Sequence, residues 1–181
     1  FDKNLTMAIN ISAIQLGHTS LIATIEYMLQ KYNVAAETII LEFTETALLN
    51  QDEVNNQRIT QLYELGCQLA LDDFGTGFSS LSHLLNYPIN IVKLDKSLLP
   101  TGSSEVRHLS IVKGLAAMAR IIGLNIIAEG VETQFQCDLC EELKIDELQG
   151  YFFEKALPAE VIEQKWLMPQ MKSYLSMKQS F

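Results

Sequence analysis

The stretch QLALDDFGTGFSS, residues 68–80, sets an apolar run against two adjacent carboxylates, Asp72 and Asp73, and closes on a Gly-Thr-Gly turn. The apolar run is that of a strand buried on both faces, as in a parallel sheet. Successive side chains on a regular strand point to opposite faces. Both carboxylates therefore serve one site only if the strand ends there and turns. A lone Asp-Asp before glycine is ordinarily a solvated turn, so its meaning depends on what the other strands carry.

Five further strand candidates occupy 6–12 (TMAINIS), 38–45 (TIILEFTE), 90–95 (NIVKLD), 124–130 (LNIIAEG) and 147–153 (ELQGYFF). Helical patterns follow each in turn at 21–32, 51–66, 79–86, 104–123, 133–144 and 158–175, with Gly66 and Gly123 placed as helix stops. Strict alternation predicts an α/β fold on a parallel sheet. The strand C-termini are polar in concert: Asn10, Glu42 with Glu45, Asp72 with Asp73, Lys93 with Asp95, Glu129 with Glu132, and Gln149. An open sheet gathers its ligand groups at one switch point, whereas a barrel brings every strand end to one rim. The even spread favours the barrel. Six βα units use up the chain, while a full (β/α)8 barrel takes about 250 residues. The expectation is thus a TIM-type barrel truncated at its N-terminus, with two strands upstream of FDKNL and two open sheet edges that invite a second chain or segment.

Composition narrows the function. The chain has 181 residues, 48% of them hydrophobic, and a formal net charge of -9. That balance excludes a nonspecific nucleic-acid or anionic-lipid binder, which needs a basic surface. Apolar runs such as LAAMARIIGLNIIA break at Arg120 or Gly123, short of the roughly 18–20 residues of a spanning helix. Three cysteines fit a reducing compartment. Cys137 and Cys140 form a CxxC inside a helical pattern without a second ligand pair, which reads as helix packing. His18, His83 and His108 read as structural or solvated, Trp166 as packing, and Arg107, Lys113 and Arg120 as the wet side of a wall helix. At the rim, Asn10, Glu42, Asp72, Asp73 and Glu129 form an oxygen-only donor set with Lys93 as the one cation, suited to Mg2+ or Mn2+. Paired aspartates fit two ions about 3.5–4 Å apart, which would also relieve their mutual repulsion.

The segments LDDFGTGFSSLSHLLNYPINIVKLDKSLL, IIAEGVET and LQGYFFEKALPAE resemble the EAL domain, a bacterial phosphodiesterase specific for cyclic di-GMP, and INISAIQL and LEFTET are similar to its third and fourth strands. The resemblance runs through residues 1–181 and implies a modified barrel of which this chain is the C-terminal three quarters. It implies that Asn10, Glu42 and Asp72 bind one metal, that Asp72 and Asp73 bind a second, and that Glu129 supports the metal–water shell. Lys93 would hold the attacking water or the developing charge, Gln149 the water and metal network, and Glu45 the loop from Asp73 to Ser80, with Asp95 and Glu132 in supporting positions. The implied reaction is in-line attack of metal-activated water on one phosphodiester, giving linear pGpG. The Glu of the family's naming motif and its accompanying Arg belong to an earlier strand and are not in these residues; ETALL at 45–49 follows the fourth strand and is not that motif. Phe78 replaces a commoner Tyr. The resemblance further implies a homodimer, upstream GGDEF or sensor domains, a bacterial cytoplasmic domain whether or not its parent is membrane-anchored, and no contact of its own with membrane or nucleic-acid polymer. The alternative is a catalytically inactive cyclic di-GMP receptor, a class that usually loses metal ligands.

Overall fold

The computed structural model describes residues 5–48, 53–76 and 84–167. The chain divides into two units, Thr6–Phe153, and Phe1–Leu5 with Glu154–Phe181. The first holds a six-stranded, all-parallel sheet of β1 (Met7–Asn10), β2 (Ile39–Thr44), β3 (Gln68–Phe74), β4 (Ile91–Leu94), β5 (Asn125–Ala128) and β6 (Glu147–Leu148), ordered in space as in sequence. Helices α1 (Ala13–Leu16), α2 (Leu21–Tyr32), α3 (Glu53–Glu64), α4 (Val106–Ile121) and α5 (Gln134–Glu142) form the connections. The result is an arc of an α/β barrel, as the alternating pattern implies. The expected helix at 79–86 lies largely outside the described residues, as do His83 and Phe78.

Side-chain parity along the strands sorts the sheet into two faces. Leu41, Phe43, Leu69, Leu71, Val92, Leu94, Ile126 and Ala128 join the large core that also takes in Ile59 and Leu62 of α3, Val112, Ala116 and Ala119 of α4, and Cys140 of α5. On the opposite face Ile40, Ala70, Ile91 and Ile127 make a second, smaller buried cluster. Two residues on, by the period of two, the same face carries Glu42, Asp72, Lys93 and Glu129. A polar layer therefore lies directly above an apolar floor.

Local chemistry fixes the joints. Ser12 with Gln15 and Thr133 with Gln136 form capping boxes at the starts of α1 and α5. Gly66 and Gly123 hold positive φ after α3 and α4, as their positions imply. Arg107, Lys113 and Arg120 are exposed. Cys67, Cys137 and Cys140 are free thiols, and burial, helped by Cys137, pushes the Cys140 thiol up to about 11. That is the packing role expected of the CxxC. No helix among the described residues is long and apolar enough to cross a membrane.

Three local expectations are corrected. The strand at 147–153 ends at Leu148, and Tyr151, Phe152 and Phe153 are exposed in a turn, because Gly150 passes against the backbone of Val131 and takes the chain out of the sheet. β3 does not stop at Asp73: its register slips between Leu71 and Phe74, and pairing resumes at Phe74 with Leu94. Trp166 is 53% exposed rather than packed, with the Lys165 ammonium 5.4 Å from its ring centroid. It lies in the second unit, within a single π-turn, Glu163–Leu167, after the short helix α6 (Ala159–Ile162). In that unit Lys165 also pairs with Glu154.

Candidate active site

The C-terminal ends of β2 to β5 place their polar side chains around one buried ammonium. Lys93 Nζ lies 2.7 Å from Glu129 Oε1, 2.8 Å from Glu42 Oε2 and 3.2 Å from Asp72 Oδ1. Lys93 and Glu42 are almost fully buried, at 3% and 5% exposure. Burial opposes the charge on Lys93, but its hydrogen bonds to Glu129 and Glu42 and the charge of Asp72 outweigh that cost and hold its pKa above the ordinary lysine value. For Glu129 burial is the larger influence, and its carboxyl is raised despite the Lys93 contact. Asp73 is raised by burial and by the charges of Asp72 and Asp95.

The slip in β3 brings the paired aspartates to one side. Asp73 adopts φ 56°, a left-handed conformation uncommon outside glycine but more accessible to Asp and Asn than to most residues. Carboxylate oxygens of Asp72, Asp73 and Glu129 consequently lie within 4.8 Å of one another. This donor chemistry fits a hard divalent cation. Glu42 joins the group through Lys93, and Asn10, at the exposed end of β1, is the register partner of Glu42.

The other predicted residues form the surround. Glu45 is buried in the 3-10 turn that follows β2. Asp95 caps the turn Lys96–Leu98, its Oδ1 accepting the Ser97 N–H at 2.9 Å; the Ser97 hydrogen bonds lower its pKa. The Glu132 N–H donates to Gln136 Oε1 at 2.8 Å. Gln149 is held between neighbours, its N–H donating to Ala128 O and its carbonyl accepting from Val131 N–H. A cleft of about 340 Å³ is lined by Asp95, Glu129, Glu132 and Gln149, together with Lys96 and Tyr151. Sequence reasoning missed those last two. Each sits one or two residues beyond a predicted rim residue, Asp95 or Gln149, and that adjacency was the available signal. His18 pairs with Ser20 and His108 with Glu105, both at the surface.

A helix-backed parallel sheet whose strand ends carry an acidic, lysine-centred rim has the architecture of the α/β barrels, whose sites lie at the C-terminal ends of their strands. Residues 2–156 match the EAL domain, and the chain belongs to that family. It is 37% identical to the cyclic di-GMP phosphodiesterase PdeR of Escherichia coli K12, over 93% of this chain and 25% of that protein. The chain thus spans about a quarter of the length of that relative. Among solved structures, the PaMucR phosphodiesterase in complex with cyclic di-GMP superposes with a TM-score of 0.81 at 31% identity, covering 88% of this chain and 71% of that one. The manganese and cyclic di-GMP complex of Klebsiella pneumoniae BlrP1 gives 0.74 at 25% identity, covering 83% and 38%.

Proposed function

We propose that the chain forms part of a phosphodiesterase that hydrolyses cyclic di-GMP to linear pGpG with the help of Mg2+ or Mn2+, two ions per site. The observation that carries this reading is the single cluster of Glu42, Asp72, Asp73, Lys93 and Glu129 at the strand ends, in a chain similar to a named cyclic di-GMP phosphodiesterase and to structures holding cyclic di-GMP or manganese. Asn10, Glu42, Asp72, Asp73 and Glu129 are the groups that would hold the ions. Bound divalent ions supply a lowered water pKa and neutralisation of phosphate charge.

The chain's own residues do the rest. Lys93 places a fixed positive charge where charge develops on the phosphoryl oxygens. Glu129, held by Lys93 at 2.7 Å, would support the metal–water shell. Gln149 offers an amide to the same water network, and Glu45 anchors the segment that begins at Asp73. Asp95 and Glu132 polarise the cleft wall.

Homodimerisation, upstream GGDEF or sensor domains and a bacterial cytoplasmic setting belong to the same proposal. A bifunctional diguanylate cyclase and phosphodiesterase, MucR of Pseudomonas aeruginosa, is among the relatives. The three free thiols agree with a reducing compartment.

The test is turnover of cyclic di-GMP by the longest natural chain carrying these residues, followed by chromatography of pGpG with Mg2+, Mn2+ or Ca2+. Turnover with Mg2+ or Mn2+, lost by at least about 10–100-fold in Glu129→Gln, is the expected result. Ligand binding without turnover by the wild type would overturn it in favour of a receptor.

A further inference from the structure

We propose that Lys93 is a structural counter-cation as well as a catalytic group, keeping the acidic rim folded without divalent ions. This rests on the metal-binding reading above. The Lys93 side chain is 4% exposed and touches three carboxylates, Glu42 on β2, Asp72 on β3 and Glu129 just after β5, whose side chains are 6%, 15% and 21% exposed. Asp73 adds a fourth negative group to the cluster.

An unpaired carboxylate at such burial is strongly unfavourable, and removing one partner of a buried pair leaves the other charge uncompensated. The base of this layer is the apolar cluster of Ile40, Ala70, Ile91 and Ile127. They cannot solvate the carboxylates from below. Among the described residues Lys93 is the cation with an ion pair to any of the three. One lysine on β4 thus ties together the ends of β2, β3 and β5. Divalent ions, when they bind, take over part of that duty.

The two roles separate in a measurement other than turnover. Lys93→Met keeps the length of the side chain and removes its charge. In EDTA the full chain carrying it is expected to melt about 10 °C below wild type. In saturating Mn2+ the deficit is expected to shrink to less than half. Equal deficits in the two buffers would mean that Lys93 matters for packing alone and would overturn the proposal.

If Lys93→Met does not fold in EDTA, recovery of its far-ultraviolet circular dichroism on Mn2+ titration supports the proposal, and no recovery overturns it. Lys93→Met combined with Glu42→Gln removes one charge of each sign and is expected to regain about half of the single variant's loss in EDTA. A double variant no more stable than the single one overturns the counter-cation role. If Mn2+ leaves the wild-type melting point unchanged, the metal reading fails on its own account, and the double variant still decides the role of Lys93.

Discussion

Asp72 accepts, through Oδ1, the backbone N–H of its own successor Asp73 at 3.1 Å, and that successor holds φ at 56°. The bond and the left-handed residue belong to one device. A slipped strand spends one residue on turning, and two neighbouring carboxylates come to share a site.

The conformation and the charge at position 73 should separate by substitution. Asn enters the left-handed region at little cost, while a β-branched residue there is strained. Asp73→Asn is expected to keep wild-type stability within about 0.5 kcal/mol while weakening Mn2+ binding, and Asp73→Val to lose about 2 kcal/mol. Urea denaturation of both variants checks this. Equal stability of the two would remove strain from the account.

Gly150 is needed for space rather than for flexibility. A methyl group there would run into the backbone nitrogen and carbonyl of Val131, which cannot give way without breaking the bond from Val131 N–H to Gln149 O. Gly150→Ala is expected to cost at least about 2 kcal/mol, and to shift the amide resonance of Gln149 in an NMR spectrum. A variant as stable as wild type would show that this crossing is looser than described.

At the opposite end of the sheet Asn90 Oδ1 accepts the Leu69 N–H at 3.0 Å, and Asn90 N–H returns a bond to Leu69 O at 2.9 Å. Leu69 is fully buried. Asn90→Ala leaves the Leu69 N–H unpaired and is expected to cost about 1–2 kcal/mol, whereas Asn90→Asp keeps an acceptor and should lose less. Chemical denaturation of the two, side by side, would sink the assignment if the order were reversed.

Asp95 gives a pH dependence of definite sign. Its folded pKa lies below the ordinary value of about 3.9 because of the Ser97 hydrogen bonds. Its contribution to stability is therefore complete above the unfolded pKa and is lost as pH falls through the folded one. The stability difference between wild type and Asp95→Asn should be constant near neutrality and vanish in acid below the ordinary Asp range. A difference independent of pH across that interval would rule the mechanism out.

The reach of the sequence follows from which properties are periodic. Parity along a strand is a period of two, so the polar ends Glu42, Asp72, Lys93 and Glu129 are legible in the sequence as one rim. The run ELQGYFF misled because its aromatics look like strand residues, while the deciding contact, Gly150 on Val131, is nonlocal. Likewise the slip that aligns Asp72 with Asp73 arises in pairing with β4, so residues 68–80 alone suggested that the strand ends there. The choice of three partners by Lys93 needed side-chain positions that spacing does not contain. Trp166 was read as packing because Leu167 and Met168 beside it are apolar, while its ring is exposed.

Strand order in this sheet equals order in the chain, and that bears on how the protein is made. During synthesis the N-terminal strands emerge first. Met7 waits for Ile39, Leu41 for Leu69 and Ile91 for Asn125, so every newcomer docks beside the strand delivered just before it. Among the described strands, none has to be inserted between two that are already paired. The sheet can grow like a row laid tile by tile from the ribosome, with its acidic rim closing only when β4 delivers Lys93 and β5 delivers the residues that precede Glu129.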